Sequence, residues 1–269
     1  MTVITTPILP IDSSTNINFK IGHIGNIVSA DSLDVSEAPI VGAGLNNIVA
    51  GSRAQYYESS TSDHIYDFDF VNCDSFAADF VYIANYKSVL DRFDVITTDF
   101  RVRADNSTAY SNTILFTRQT TRDLYGPRKE DIYSQFLNST SYTHWRVRMQ
   151  TTAVNAEKIR LSKIILCKLF DFGRDPEYSL PMQQGGAMKF QRHTAKKYFF
   201  TWRGVSNDKI DTFNALIMPY TIQTGLVFYD PANAVLGGDR VLFGRVVDYG
   251  HQALSSNSNT VTMTVEEIV

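Results

Sequence analysis

Thr143-His-Trp-Arg-Val-Arg-Met-Gln150 puts Trp145, Val147 and Met149 on one side of an extended chain and Arg146, Arg148 and Gln150 on the other. A period of two marks a strand with one buried face. The same pattern continues upstream in Ile65-Tyr-Asp-Phe-Asp-Phe70, where Tyr66, Phe68 and Phe70 alternate with Asp67 and Asp69. Asp79–Ala84, Val95–Arg103 and Asn112–Thr117 are further predicted strands. Lys158–Phe170 first alternates and then becomes continuously apolar at Ile164-Ile-Leu-Cys167, as a central strand would. Strands at this spacing, separated by polar turns, predict a β-sandwich. Residues 1–60 are rich in Ser, Asn, Gly and Ala and carry Pro7, Pro10 and Pro39, so they predict extended segments and loops with one or two short edge strands.

The pattern breaks at Phe172-Gly-Arg-Asp-Pro-Glu177, and Pro181 and Gly185-Gly186 follow closely. A domain boundary is expected near 175–188, giving a sandwich with an extended N-terminal segment at 1–175 and a small β-rich unit with one short helix at 188–269. In the second unit, Lys197–Arg203 is a predicted strand. Ser206 is placed to cap a helix in which Ile210, Phe213 and Ile217 recur at helical spacing, and Pro219 ends it. Gly225–Tyr229, Arg240–Val247 and Thr260–Val265 are the remaining predicted strands, with Gly237-Gly-Asp239 as a hairpin turn. The expected fold class is therefore mainly β, a jelly-roll sandwich followed by a smaller β-rich unit with one helix.

Composition agrees. Of 269 residues, 43% are hydrophobic and 20% charged, enough to bury a core, and seventeen Phe with fourteen Tyr favour pleated sheet. A net charge of -3 supplies no electrostatic reason to bind nucleic acid or an anionic membrane. The first residues have no basic n-region followed by an apolar run, and no stretch reaches the roughly 18–20 apolar residues of a membrane span, so synthesis in a cytosol without membrane insertion is expected. Cys73 and Cys167 sit beside apolar neighbours and read as buried free thiols, with a single bridge between them left open. Asn106-Ser-Thr and Asn138-Ser-Thr match the glycosylation tripeptide and read as ordinary loop sequence.

Signals for chemistry are sparse. His23, His64, His144, His193 and His251 lie in unrelated contexts, without a nucleophile-elbow motif; His144 begins a strand, at an expected sheet edge, and the others read as turn or surface residues. Gly42-Ala-Gly44 lacks the glycine spacing and the helix of a phosphate-binding loop. Asp63, Asp67 and Asp69 cluster without an Asp-x-Asp-x-Asp-Gly loop, leaving calcium the minor reading. No catalytic, cofactor-binding or metal-binding residue is assigned, and no enzyme activity or cofactor is expected. More informative is the polar face formed by Arg146 and Arg148, with Arg101 and Arg103 on another strand. If those strands are neighbours, four guanidinium groups crowd one face and need partners, for which Asp99, Asp67 and Asp69 are the candidates. The sharper alternative is a docking face for an acidic partner protein.

Residues 53–173 carry a resemblance in the order of their features. An Arg-containing loop precedes the acid-aromatic strand Ile65–Phe70, then comes Asp79-Phe-Val-Tyr-Ile-Ala-Asn85, and later the pair Thr143–Arg148 and Lys158–Cys167. Together these resemble discoidin-like jelly rolls and are similar to the galactose-binding-like domains of bacteriophage tail proteins. Phe200-Thr-Trp-Arg203, Val227-Phe-Tyr-Asp230 and Val265-Glu-Glu-Ile268 resemble the smaller β-rich domain that follows in such proteins. Tyr86-Lys87 and Leu166-Cys-Lys168 depart from the family's pattern, so no sugar-binding residue is carried over. The resemblance implies a structural component of the distal tail, tail tip or adhesion apparatus of a virion, synthesised in the host cytoplasm. Its partners would be other tail proteins and further copies of itself in a ring. The alternative is a module binding a host-surface glycan, with Tyr56, Tyr57, Tyr110 and Tyr142 as loop aromatics that a sugar could stack on, although covering loop ends is the favoured reading of these tyrosines. A polysaccharide-degrading enzyme on the same scaffold ranks last.

Overall fold

The computed structural model describes residues 20–23, 33–35, 48, 55–60, 63, 65–71, 73–88, 96–110, 114–122, 130–151, 158–179, 196–220, 225–232, 236 and 241–268. The first strands are β1 (Lys20–His23), β2 (Leu33–Val35), β3 (Tyr57–Glu58), β4 (Ile65–Phe70), β5 (Phe80–Ser88), β6 (Ile96–Asp105) and β7 (Ile114–Arg122). They are followed by β8 (Glu130–Gln135), β9 (His144–Thr151), β10 (Ile159–Leu161), β11 (Lys163–Phe170) and β12 (Glu177–Ser179). The last elements are β13 (Lys197–Val205), helix α1 (Asn207–Leu216), β14 (Leu226–Tyr229), β15 (Val241–Ser255) and β16 (Ser258–Glu267).

One sheet runs β2-β4-β9-β6-β7, antiparallel throughout. Its register sets Phe70 opposite Trp145, Phe68 opposite Val147 and Tyr66 opposite Met149, with Val102 and Phe100 continuing the last two rows on β6. These apolar pairs form one wall of the core. Facing it, Val81 and Ile83 of β5, Ile159 and Leu161 of β10 and Ile164 and Leu166 of β11 complete one buried core. This is the expected sandwich. The continuously apolar Ile164–Cys167 has its expected explanation too, because β11 is buried on both faces: Ile165 and Cys167 join Phe80, Tyr82, Val227 and Phe243 on the far side.

The predicted strand Lys158–Phe170 parts at Ser162 into β10 and β11. The cause lies on its neighbour. Asn85 of β5 takes a positive φ of 53°, donates its side-chain amide to Ser162 Oγ at 3.0 Å, and donates its backbone N–H to Asp131 at 2.9 Å. The pairing of β5 with β8 slips at the same place, between Ile83 and Tyr86.

The N-terminal segment corrects an expectation. β2 is an edge strand, but β1 lies inside the second sheet, which runs β12-β13-β16-β15-β14-β1-β11-β5-β10-β3 with β8 beside β5. Ile21 sits between Phe170 of β11 and Phe228 of β14. A four-residue strand with one buried apolar side chain carries no alternation to read, and its place is fixed by backbone ladders on both sides. Through β1 the sandwich and the smaller unit share one sheet.

In the smaller unit the sheet holds α1. Phe213 packs on Phe172, Phe170 and Tyr249 with ring centroids 5.1, 5.6 and 5.1 Å apart, and Ile210 and Ile217 are buried beside it, as their spacing predicts. Ser206 does occupy the N-cap, yet its hydroxyl makes no capping bond; the Asn207 amide donates instead to Asn257 Oδ1 at 3.3 Å. Gly204, at φ 72°, lets β13 bulge against β16, and Arg174 donates to the Arg203 carbonyl at 2.6 Å beneath it. Two strand predictions fall short: β15 and β16 extend well past Val247 and Thr260 to meet at a turn after Ser255. Gly42-Ala-Gly44, His64, His193 and the Gly237–Asp239 turn lie outside the described residues.

Candidate functional site

Strands β4, β9 and β6 lie side by side, so residues alternating with the core project together from the outer face. The register aligns Asp67, Arg148 and Arg101 in one row and Asp69, Arg146 and Arg103 in the next. The four guanidinium groups foreseen from the sequence therefore do share one face. Arg146 grips Asp69 in a two-point fork (Nε to Oδ1 and Nη2 to Oδ2, both 2.6 Å), and Arg148 grips Asp67 in the same way at 2.7 and 2.6 Å. A further contact links Arg146 Nη1 to Asp67 at 3.3 Å. Arg101 binds Asp99 two residues back on its own strand, at 2.6 Å through Nη2 and 3.2 Å through Nε. Two-point arginine–carboxylate pairs are the stronger and more directional kind. The hydrogen bonds they donate to Asp69 and Asp67 hold the Arg146 and Arg148 guanidiniums above their ordinary basicity.

Arg103 differs. Its Nε is buried without a hydrogen-bond partner, and among the described residues no carboxylate stands within ion-pair distance. Burial lowers its pKa, and repulsion from Arg148, Arg101 and Arg146 lowers it further. Asp105, two residues along, accepts the amide of Asn106 at 2.7 Å. The face thus carries Arg101, Arg103, Arg146 and Arg148 beside Asp67, Asp69, Asp99 and Asp105, and the register adds Asp34 of β2 opposite Asp69.

Most other candidates are engaged in packing. Tyr57 and Tyr110 are buried, which removes them as platforms for a sugar. Tyr110 lies under the Arg146 guanidinium, 4.2 Å from its ring centre, and its hydroxyl reaches the Trp145 carbonyl at 3.4 Å; burial pushes its phenol well above the usual range. Tyr142 stands edge-on to Trp145 at 5.7 Å. Tyr56 is half-buried under Arg160, which in turn pairs with Glu58, a group that no sequence spacing announces.

His144 begins β9, and β9 is an inner strand rather than a sheet edge. His23 and His251 lie in strands rather than turns, and His251 is the surface residue expected; β1 and the distal part of β15 lack the apolar alternation that reveals a strand. Asp67 and Asp69 are committed to arginines, and Asp63 accepts the Ile65 amide, so the three do not form a cation cage; among the described residues no cluster of metal-ligand type exists. Asn138 organises its own loop through Ala78 and Thr140, and Asn106 accepts the Thr143 amide. Cys73 and Cys167 form no disulfide with each other and are both buried, in separate clusters.

A second polar group sits where the units join. Asp79 accepts the Leu169 amide at 2.8 Å and pairs with Lys168 at 2.9 Å, while Lys20 of β1 donates to Gln135 at 3.0 Å. Burial raises the Asp79 carboxyl above its ordinary range and lowers the Lys20 ammonium.

No protein-family model matches the sequence, and no curated protein matches it. Among solved structures, a Ruminococcus gnavus GH29 fucosidase in complex with fucose is 13% identical over 56% of this chain, with a TM-score of 0.40; the match spans only 28% of the fucosidase. The chitosan-binding module 1 of a Paenibacillus chitosanase/glucanase is 15% identical over 54% of this chain and 99% of the module, with a TM-score of 0.40. The CBM32 module of AlyQ, in complex with 4,5-unsaturated mannuronic acid, is 14% identical over 53% of this chain and 95% of its own, with a TM-score of 0.34. At these identities and scores, the ligands of those proteins do not transfer to this chain.

Proposed function

We propose that this chain is a non-enzymatic structural subunit of a bacteriophage tail, assembling through its smaller unit and displaying a galactose-binding-like sandwich. The observation that carries the assembly half is the β15–β16 hairpin. Its register slips twice, between Val246 and Asp248 and between Ala253 and Ser255. The extra residues at those two slips are Val247 and Leu254, and both are exposed apolar side chains, Leu254 at 59%. A bulge re-aims the side chain it inserts, and apolar groups on an otherwise polar arm suit contact with another subunit. The tail assignment is supported by the sequence resemblance in residues 53–173 and in the smaller unit.

Light scattering after size exclusion tests the assembly half. The full chain is expected to form an oligomer, and Val247→Ser with Leu254→Ser is expected to shift it toward monomer. A chain that stays monomeric at every concentration sinks the reading. Imaging an assembled particle with this chain located in it tests the tail assignment.

The second reading, a host-surface glycan bound by the sandwich, keeps one of its four tyrosines in a suitable setting. Half-buried Tyr56 lies beside Arg160 and Glu58, an aromatic face next to polar groups. A glycan array without specific binding removes it.

A further inference from the structure

We propose that the edge of β15 left open by β14 pairs with the same edge of a second copy of this chain, antiparallel and about a two-fold axis at Gly250. The proposal rests on the reading that the β15–β16 hairpin mediates assembly, and it names the partner and the register. β14 pairs only with Val241–Gly244, and among the described residues no strand lies on that side of Arg245–Ser255. Asp248 and His251–Ser255 are exposed along this length. A strand edge offers unpaired N–H and C=O groups that another strand can take up. What selects a second copy is the order of the residues. Val246-Val-Asp-Tyr-Gly-His-Gln-Ala-Leu254 reads alike from both ends: two apolar residues, a polar one and a ring lead inward to Gly250 on each side. An isologous interface needs a patch that complements itself. With Gly250 opposite its own copy, Tyr249 meets His251, Asp248 meets Gln252, and Val246-Val247 falls against Ala253-Leu254. Arg245, bound to Glu266 of its own chain, meets Ser255, so no like charges oppose. Opposed residues of a ladder must share a face, and these do. Tyr249 and His251 stand across β16 from buried Met263 and Val261, while Asp248, Gly250 and Gln252 stand across from Thr264, Thr262 and Thr260 on the other face. The register slips match as well. A bulge ordinarily spoils an edge as a template, but the antiparallel copy sets the slip at Val247 against the slip at Leu254 and leaves Asp248–Gln252 as a regular ladder between them.

Cysteine cross-linking of the full chain reads this register. Opposed residues of a ladder lie about 4.5–5.5 Å apart at Cα, within the roughly 4.4–6.8 Å that a disulfide spans. Only a residue at the axis can meet itself, and a Cβ built on Gly250 finds only Thr262 Oγ1 near it, at 3.6 Å. Gly250→Cys is therefore expected to oxidise to a covalent dimer. The yield should be about tenfold or more above that of Asp248→Cys, whose own two thiols would lie about 13 Å apart along the strands. An equal mixture of Asp248→Cys and Gln252→Cys chains is expected to give mixed dimers in excess of the random proportion. Cys73 and Cys167 are buried, which keeps the background low. If Gly250→Cys does not fold, the mixture carries the test alone. Equal cross-linking at Asp248 and Gly250 overturns the pairing, as does a random proportion of mixed dimers. Light scattering on the unmodified chain keeps the two readings apart. An oligomer without these cross-links removes the edge pairing and leaves hairpin-mediated assembly standing, whereas a monomer at every concentration removes both.

Discussion

Asp67→Asn removes the carboxylate that Arg148 grips through two bonds and that Arg146 also touches. The two side chains of the main pair are 13% and 20% exposed, so the pair lies between the solvated and the buried regimes. Fully exposed pairs contribute about 0–1 kcal/mol, and removing one partner of a buried pair costs about 3–5 kcal/mol. Asparagine keeps one acceptor oxygen for Arg148 but leaves the Arg148 charge without its anion. A loss of about 2–3 kcal/mol follows, or roughly 5–10 °C in Tm for a chain of this size. Arg148→Gln in the same background is expected to restore about 1–2 kcal/mol, because it removes the orphaned cation. Urea unfolding at low and high salt measures all four members of the cycle, and the penalty is expected to shrink as salt screens the face. If Asp67→Asn lies within about 0.5 kcal/mol of wild type at low salt, or costs the same with and without Arg148, the face is ordinary solvated pairing and the reasoning fails.

Ile21→Ala removes a buried apolar side chain of β1 and is expected to cost about 2–4 kcal/mol. Calorimetry is expected to show a single transition at lower temperature, and two separated transitions would contradict a sheet that couples the halves. Asp79 gives a pH signature. Its carboxyl is raised in the fold, chiefly by burial, so the native state binds a proton more tightly than the unfolded chain does. Its contribution is greatest below the ordinary carboxylate pKa and is lost as pH rises through the raised one. Urea midpoints should therefore favour wild type over Asp79→Asn more at acid pH than at neutral pH, and a difference independent of pH rejects the assignment. Cys73 and Cys167 are expected to resist a thiol reagent in the native state, with Cys167 the less reactive because burial pushes its thiol far up. Labelling of either before unfolding, or a two-dalton deficit in the unreduced mass, argues otherwise.

The sandwich was legible because each of its main strands buries one face. Tyr66, Phe68 and Phe70, like Trp145, Val147 and Met149, announce both the strand and its core side. The charged face followed from the same alternation, and the aspartates named for it are the ones engaged. That the Arg103 Nε is left without a hydrogen-bond acceptor was not legible. Asp99 stands two residues before Arg101 and Asp105 two residues after Arg103, and only side-chain packing decides that one binds an arginine and the other a loop amide. β8 and the outer hairpin were missed for a different reason. Glu130–Gln135 and Asp248–Asn259 are mostly polar and are held by backbone pairing, which leaves no periodic trace. Of the loop tyrosines, Tyr57 and Tyr110 cover the structure as the favoured reading had it, and their depth could not be read because a loop position in sequence does not report burial: Tyr110 closes over the end of the Trp145 strand instead of facing solvent.

The position of β1 also governs the order in which this protein can be made. Ile21 leaves the ribosome long before Phe170, and Phe228 appears later still, yet the native strand needs both as neighbours. Contacts so far apart in sequence close slowly. The sandwich strands can pair while translation continues, but the flank of β11 that β1 covers, and the flank of β1 that β14 covers, stay unsealed until the C-terminal strands emerge. A nascent or truncated chain ending before β14 therefore presents an adhesive edge that the finished protein conceals. Expression yield should depend more on synthesis reaching the C-terminus than on the stability of the sandwich itself.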